Sequence, residues 1–223
     1  MGLSASPFSF KDQLAFYGAY HANKVNVAIH IVCVPLIFMS LETLLITSGW
    51  SLAGISASLP PVLQAPVQRF ELLLAQHVPP ALYAHLNPGS LLAAVYLAYY
   101  YVLDVATAAL FTPLWIAYYY ASYALAEHVP NGRLIAWGFF AFSWVAQFYG
   151  HGVHEGRAPA LMDNLLGALV LAPLFVFVEV LFEFGYRPEL HKWLKNAVGK
   201  QVLEFRHEQK HRKETGKDTA KAL

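Results

Sequence analysis

Long apolar runs dominate this chain and leave few folds open to it. Val27 to Ser48 is one run, and Leu91 to Leu125, Leu134 to Gly150 and Leu165 to Phe182 follow. A run of about 20 apolar residues matches a hydrocarbon layer about 30 Å thick. Leu91 to Leu125 as one helix would reach about 52 Å, so two shorter helices turning near Asp104 or Pro113 are expected. The chain is 57% hydrophobic and only 13% charged, where a soluble domain carries about 25% charge. Its mean hydropathy is +0.42. The expected fold class is all-α: an integral membrane helical bundle of four or five apolar helices. Five full spans would put the termini on opposite sides, and the last apolar segment either crosses or folds back at Pro173. A net charge of +1 gives no basic field for nucleic acid. The single Cys33 excludes an internal disulfide and a cysteine-rich metal site.

The ends and connections are polar. Met1 to Gln13 lacks the basic start and apolar core of a cleavable signal. Met1-Gly2-Leu3-Ser4-Ala5-Ser6 fits the permissive myristoylation pattern, with Pro7 directly after it. Ser6 to His21 reads as an amphipathic surface helix capped by Ser6 or Ser9, with Phe10, Leu14, Tyr17 and His21 at helical spacing. Residues 50–89 hold six prolines and read as an excursion outside the membrane. Within it, Leu63 to Gln76 suits a short helix, and His77 and His85 are expected to be solvated. The tyrosines Tyr96, Tyr99, Tyr100, Tyr101, Tyr118, Tyr119, Tyr120 and Tyr123 suggest interfacial anchors or a tunnel wall, anchoring being the plainer reading. Asn164, with Asp163, is placed to cap the helix that begins at Leu165. Residues 187–223 form a basic polar tail, read as a helix that frays.

Two polar clusters sit at apolar helix ends, where polar groups usually have a purpose. The first runs from Tyr20 to His30. His21 and His30 are nine residues apart, and at about 100° per residue they face opposite ways on one straight helix. They converge only if the chain bends between them, and Asn23 and Asn26 are suited to turn and cap it there. The second cluster is Gln147 to Leu161. If its helix continues through Gly150 and Gly152, His154 and Glu155 lie on the side of His151. A wet loop between two helices is the plain alternative. Histidines with a carboxylate and open positions suit Fe(II) in oxygen chemistry, and zinc accepts the same ligands.

The two clusters together resemble a known family. Phe16-Tyr17-Gly18-Ala19-Tyr20-His21, Asn23, Asn26, Ile29-His30 and Pro35 form its opening motif. Trp144, Gln147-Phe148, Gly150-His151-Gly152, Glu155, Arg157-Ala158-Pro159-Ala160-Leu161, Asp163-Asn164-Leu165 and Leu169 to Pro173 form the second. The resemblance is to the family of the yeast endoplasmic-reticulum 2-hydroxy fatty acid dioxygenase of phytosphingosine degradation. It implies an Fe(II)-dependent enzyme of the endoplasmic-reticulum membrane, crossing it several times. Such an enzyme uses O₂ to α-oxidise a 2-hydroxy long-chain fatty acid to an acid one carbon shorter.

The resemblance also assigns roles to residues. It carries the metal ligands over to His21, His30 and His151, with zinc able to replace iron in a purified sample. Glu155 is expected to complete the coordination or to orient a histidine. His154 departs from the family pattern, where an aromatic residue stands, and is the weaker candidate. From charge chemistry and not from the resemblance, Arg157 or Lys24 is expected to pair with the substrate carboxylate, since a charged headgroup at an interface needs a cation. The implied organisation is a membrane-embedded dioxygenase domain at residues 1–186, with the excursion at 50–89, followed by the tail. Expected partners are the 2-hydroxy fatty acid and membrane lipid. Two other readings of the same residues stay open: a non-enzymatic membrane proton or lipid carrier, and a zinc-dependent membrane lipid hydrolase.

Overall fold

The computed structural model describes residues 6–50, 57–83, 85–160 and 165–221. All regular structure among them is helical: α1 (Phe10–Gly18), α2 (Lys24–Ile46), α3 (Pro61–His77), α4 (Pro80–Tyr83), α5 (Pro88–Leu103), α6 (Val105–His128), α7 (Gly132–Tyr149), a π-helical turn (Gly150–Glu155), α8 (Leu165–Glu183) and α9 (Pro188–Lys221). Contacts divide the chain into two compact units. One joins the chain up to Val32 with the chain from Ala146 onward, and the other is Cys33–Val145.

Local chemistry explains where the helices of the first unit start and stop. Ser9 caps α1, its Oγ accepting from the Asp12 N–H at 3.3 Å. The chain leaves the helix after Gly18, and Asn23 restarts it. The Asn23 Oδ1 accepts from the N–H groups of Val25 (2.9 Å) and Asn26 (3.4 Å), satisfying donors that a helix start leaves unpaired. The expected bend between His21 and His30 is therefore present. α1 packs on both α8 and α9. The basic C-terminal segment is drawn into this unit because α9 has an apolar stripe: Leu194 is buried, Lys11 lies over the Trp193 ring, and Phe205 stacks on Arg157. The capping role expected of Asn164 and the myristoylation pattern at Gly2 fall outside the described residues.

The second unit centres on α5 and α6, which pack together. The chain breaks at Asp104 and not at Pro113, which α6 accommodates. The Asp104 carboxylate caps α6 by accepting from the Thr107 N–H and Oγ1, both at 2.8 Å. Several tyrosines turn inward here. Tyr100, Phe111 and Trp115 are fully buried, Tyr96 stacks on Trp115, and the Trp115 Nε1 donates to the Ala93 carbonyl at 2.9 Å. Tyr96 and Tyr100 thus belong to a core of rings, whereas Tyr101 and Tyr120 stay exposed. Glu42, buried inside α2, meets the Ser122 hydroxyl at 2.8 Å. His77 is exposed as expected. His85 is not simply solvated: its Nδ1 lies 3.1 Å from the Tyr119 hydroxyl, and the rings of Tyr119, Tyr120 and Tyr123 surround it.

By length and composition, α2 suffices to cross a membrane. A second crossing requires counting Leu169–Glu183 and Pro188–His211, bent by 117°, as one span. The expected four or five spans are met only in part among the described helices. Asp104 cuts one long apolar run into two helices, and the four tyrosines of α6 (Tyr118, Tyr119, Tyr120 and Tyr123) make that helix less apolar than its length suggests.

Candidate metal centre

The bend after α1 and the π-turn after α7 bring three imidazoles together. His21 lies in the bend, His30 in the second turn of α2, and His151 in the π-turn. All three are buried, and each offers one ring nitrogen within 4.8 Å of the other two. Ring centroids are 4.4 Å apart for His21 and His30, 4.8 Å for His21 and His151, and 4.9 Å for His30 and His151. The planes cross at 76°, 70° and 84°. Three rings standing nearly perpendicular to one another suit ligation of a shared ion and do not stack.

Backbone carbonyls one turn back orient two of the rings. Nδ1 of His21 lies 2.8 Å from the Tyr17 carbonyl, and Nδ1 of His30 lies 2.9 Å from the Asn26 carbonyl. Each Nδ1–H donates there, which leaves Nε2 with its lone pair, the tautomer a metal ligand requires. The Tyr17 ring stacks on His21 at 4.1 Å, and Phe175 of α8 closes over both. Burial, followed by the neighbouring His30, pushes His21 well below its ordinary pKa. His151 falls to about 4, through burial first and the Arg157 guanidinium second. Both rings are therefore neutral near pH 7, as a ligand must be. Nε2 of His21 and Nδ1 of His151 are buried without a hydrogen-bond partner in the protein. Buried polar atoms are nearly always paired, so orphaned nitrogens beside a third imidazole fit a divalent transition metal bound among them.

Glu155 holds the bend and stands outside the cluster. Its Oε1 accepts from the Ala22 N–H (3.1 Å), and its Oε2 accepts from the Asn23 N–H (3.0 Å) and the Asn26 Nδ2 (3.1 Å). One carboxylate thus ties the second motif to the bend between His21 and His30. Gly150 allows the approach, since a Cβ there would lie 2.5 Å from the Asn26 Oδ1. Gly156, at φ 65°, ends the π-turn in the left-handed region, and its N–H donates to the His151 carbonyl.

The other expected residues stand elsewhere. His154 is not drawn to His151, and its ring meets Tyr149 edge-on at 5.4 Å. The α-helical spacing used for it does not apply, because the segment is a π-turn, with wider i→i+5 pairing. Arg157 is already engaged. Its Nη1 donates to the Ala19 carbonyl at 2.9 Å, and its guanidinium lies between the rings of Tyr20 (3.6 Å) and Phe205 (4.3 Å). Lys24 is exposed in the first turn of α2. A helical His-x-x-x-His pair also occurs at His207 and His211 of α9, both exposed and outside the cluster of His21, His30 and His151. Sequence reasoning gave no role to Tyr17, Phe175 or Gln147. Tyr17 could have been found as the residue one turn before His21, and Gln147 as the one four residues before His151. Phe175 leaves no such local signal.

Fold and site define a class: a helical protein with a candidate metal centre built from histidines alone. The chain belongs to the family described as 2-hydroxy-palmitic acid dioxygenase Mpo1-like, which it matches over residues 8–184. It is also similar to the 2-hydroxy-palmitic acid dioxygenase MPO1 of Saccharomyces cerevisiae, at 49% identity over 61 residues. That alignment covers 27% of this chain and 35% of the yeast protein, so it spans about a third of the relative's length. No solved structure matches the chain.

Proposed function

We propose that this chain is an Fe(II)-dependent dioxygenase of 2-hydroxy long-chain fatty acids, embedded in the endoplasmic-reticulum membrane by several apolar helices. The observation that carries the reading is the buried triad of His21, His30 and His151, found in a chain of this family. These three residues would hold the metal. Bound iron would supply a site for O₂ and for the two-oxygen chelate of a 2-hydroxy carboxylate. With O₂ as the sole oxidant the balance closes without a further reductant. The acid R–CH(OH)–COOH and O₂ give R–COOH, CO₂ and water: the bond between C1 and C2 breaks, and the four electrons lost by those carbons reduce O₂.

The chain's own groups prepare the site. Tyr17 and Asn26 fix ring orientation through their carbonyls, and Glu155 keeps the bend in place. The Arg157 guanidinium acts electrostatically on both His21 and His151, and a positive charge there favours an anionic headgroup at the centre. The apolar helices are suited to receive the acyl tail.

The test is anaerobic Fe(II) loading of the purified protein in detergent, followed by O₂ uptake and product analysis with 2-hydroxyhexadecanoate. The expected result is one iron per chain and a C15 acid formed in step with O₂ consumed. Firmly bound zinc with ester hydrolysis and no O₂ uptake would favour the hydrolase instead. A chain that binds no metal would favour the carrier.

A further inference from the structure

α7 buries one narrow stripe: Gly132, Ala136, Ser143 and Gln147, continued by Gly150 and His151 of the π-turn. Gln147 precedes His151 by four residues at the end of α7, and both side chains are buried. Gln147 is only 8% exposed, and its Nε2 amide has no hydrogen-bond partner in the protein. A buried amide donor without an acceptor is uncommon. Unlike the unpaired histidine nitrogens, a protonated amide nitrogen is not a metal ligand, so an ion would leave it unsatisfied. It calls for an acceptor that the protein itself does not supply.

The two charged groups of the same motif are already committed, Glu155 to the bend and Arg157 to the Ala19 carbonyl and its two rings. A neutral donor also suits this depth, because burying an amide costs far less than burying an unpaired charge. We infer that Gln147 is a substrate-binding residue whose Nε2 donates a hydrogen bond to an oxygen of the 2-hydroxy carboxylate. The inference rests on the function proposed above and deepens it. The donor selects the polar end of the fatty acid and fixes it at the end of α7.

The experiment compares the iron-loaded wild-type chain with Gln147→Leu and Gln147→Glu, reading iron content, KM for 2-hydroxyhexadecanoate and binding of hexadecanoate. Gln147→Leu should keep its iron and raise KM about 10- to 100-fold, as expected for loss of a hydrogen bond to a charged group. Gln147→Glu keeps the volume but replaces the donor with an acceptor, and should raise KM further. If hexadecanoate binds equally to wild type and Gln147→Leu, the oxygen is the 2-hydroxyl. If its binding weakens in parallel, the oxygen is the carboxylate.

The inference is overturned if both variants keep the wild-type KM, in which case Nε2 serves only a buried water. It is also overturned if iron is lost from both, since Gln147 then acts through the metal centre. If Gln147→Leu alone fails to fold, Gln147→Glu decides. Failure of the functional reading shows separately, as a wild-type chain that neither binds the hydroxy acid nor consumes O₂, and it removes this inference with it.

Discussion

Asn26 is fully buried and serves several groups at once. Its carbonyl takes the His30 Nδ1–H, its Nδ2 donates to Glu155, and its Oδ1 lies against Gly150. Gly150→Ala would place a methyl group 2.5 Å from that oxygen and 3.3 Å from the Ile29 Cδ1. Overpacking of this kind costs about 1–3 kcal/mol. The variant is expected to melt at lower temperature and to hold less metal, and an unchanged melting point with full metal content would refute the contact. Alanine at His21, His30 or His151 should each abolish metal binding and turnover together. A full equivalent of metal retained by any one variant removes that residue from the ligand set. His154→Phe preserves the edge-on contact with Tyr149 and should keep both metal and activity. Metal loss in this variant would make His154 a ligand after all.

At the scale of elements, the broken helix between Gly18 and Lys24 is the central device. One carboxylate and one Asx cap hold it, and both ends of Glu155 accept hydrogen bonds. Glu155→Gln would set an NH₂ group against an N–H donor, loosening the bend without removing a histidine. Residues that support metal ligands from behind typically contribute about 10–100-fold in affinity. A weakening of that size is expected in a Co(II) titration, with the visible bands unmoved. A shift of the bands to a lower coordination number would instead identify Glu155 as a ligand.

At the scale of the molecule, the unit containing the triad is assembled from two chain segments that are distant in sequence. A metal bound by His21 and His30 from one segment and His151 from the other ties those segments together. Binding to the native state alone stabilises by about 2.7 kcal/mol when free metal is 100-fold above Kd. Chelation should therefore lower the melting temperature of the wild-type chain. The same chelator should leave His151→Ala unmoved, and an equal drop in both would place the metal elsewhere. α9 belongs to this assembly through Leu194, Trp193 and Phe205, although it lies beyond the residues matched to the family.

Much of this was legible in sequence because it is local. Apolar runs of helix length predicted the helical class. Spacing of about 100° per residue required a break between His21 and His30, and the asparagines that make the break stood in plain view. Asp104, polar inside an apolar run, marked a helix boundary. Other features depended on partners that no local pattern specifies. Glu155 is engaged by three donors some 130 positions away, at Ala22, Asn23 and Asn26, which no local pattern announces. Arg157 was placed by Tyr20 and by Phe205 of the C-terminal helix. His154 turned away because the segment widened into a π-turn, which α-helical counting does not anticipate. Tyr100 and Tyr119 became core because α5 and α6 pack on each other, while Tyr101 and Tyr120 stayed exposed, a division that the bare sequence does not show. Periodicity along the chain sets which elements form, whereas hydrogen bonds and ring contacts across the chain fix what each polar side chain does.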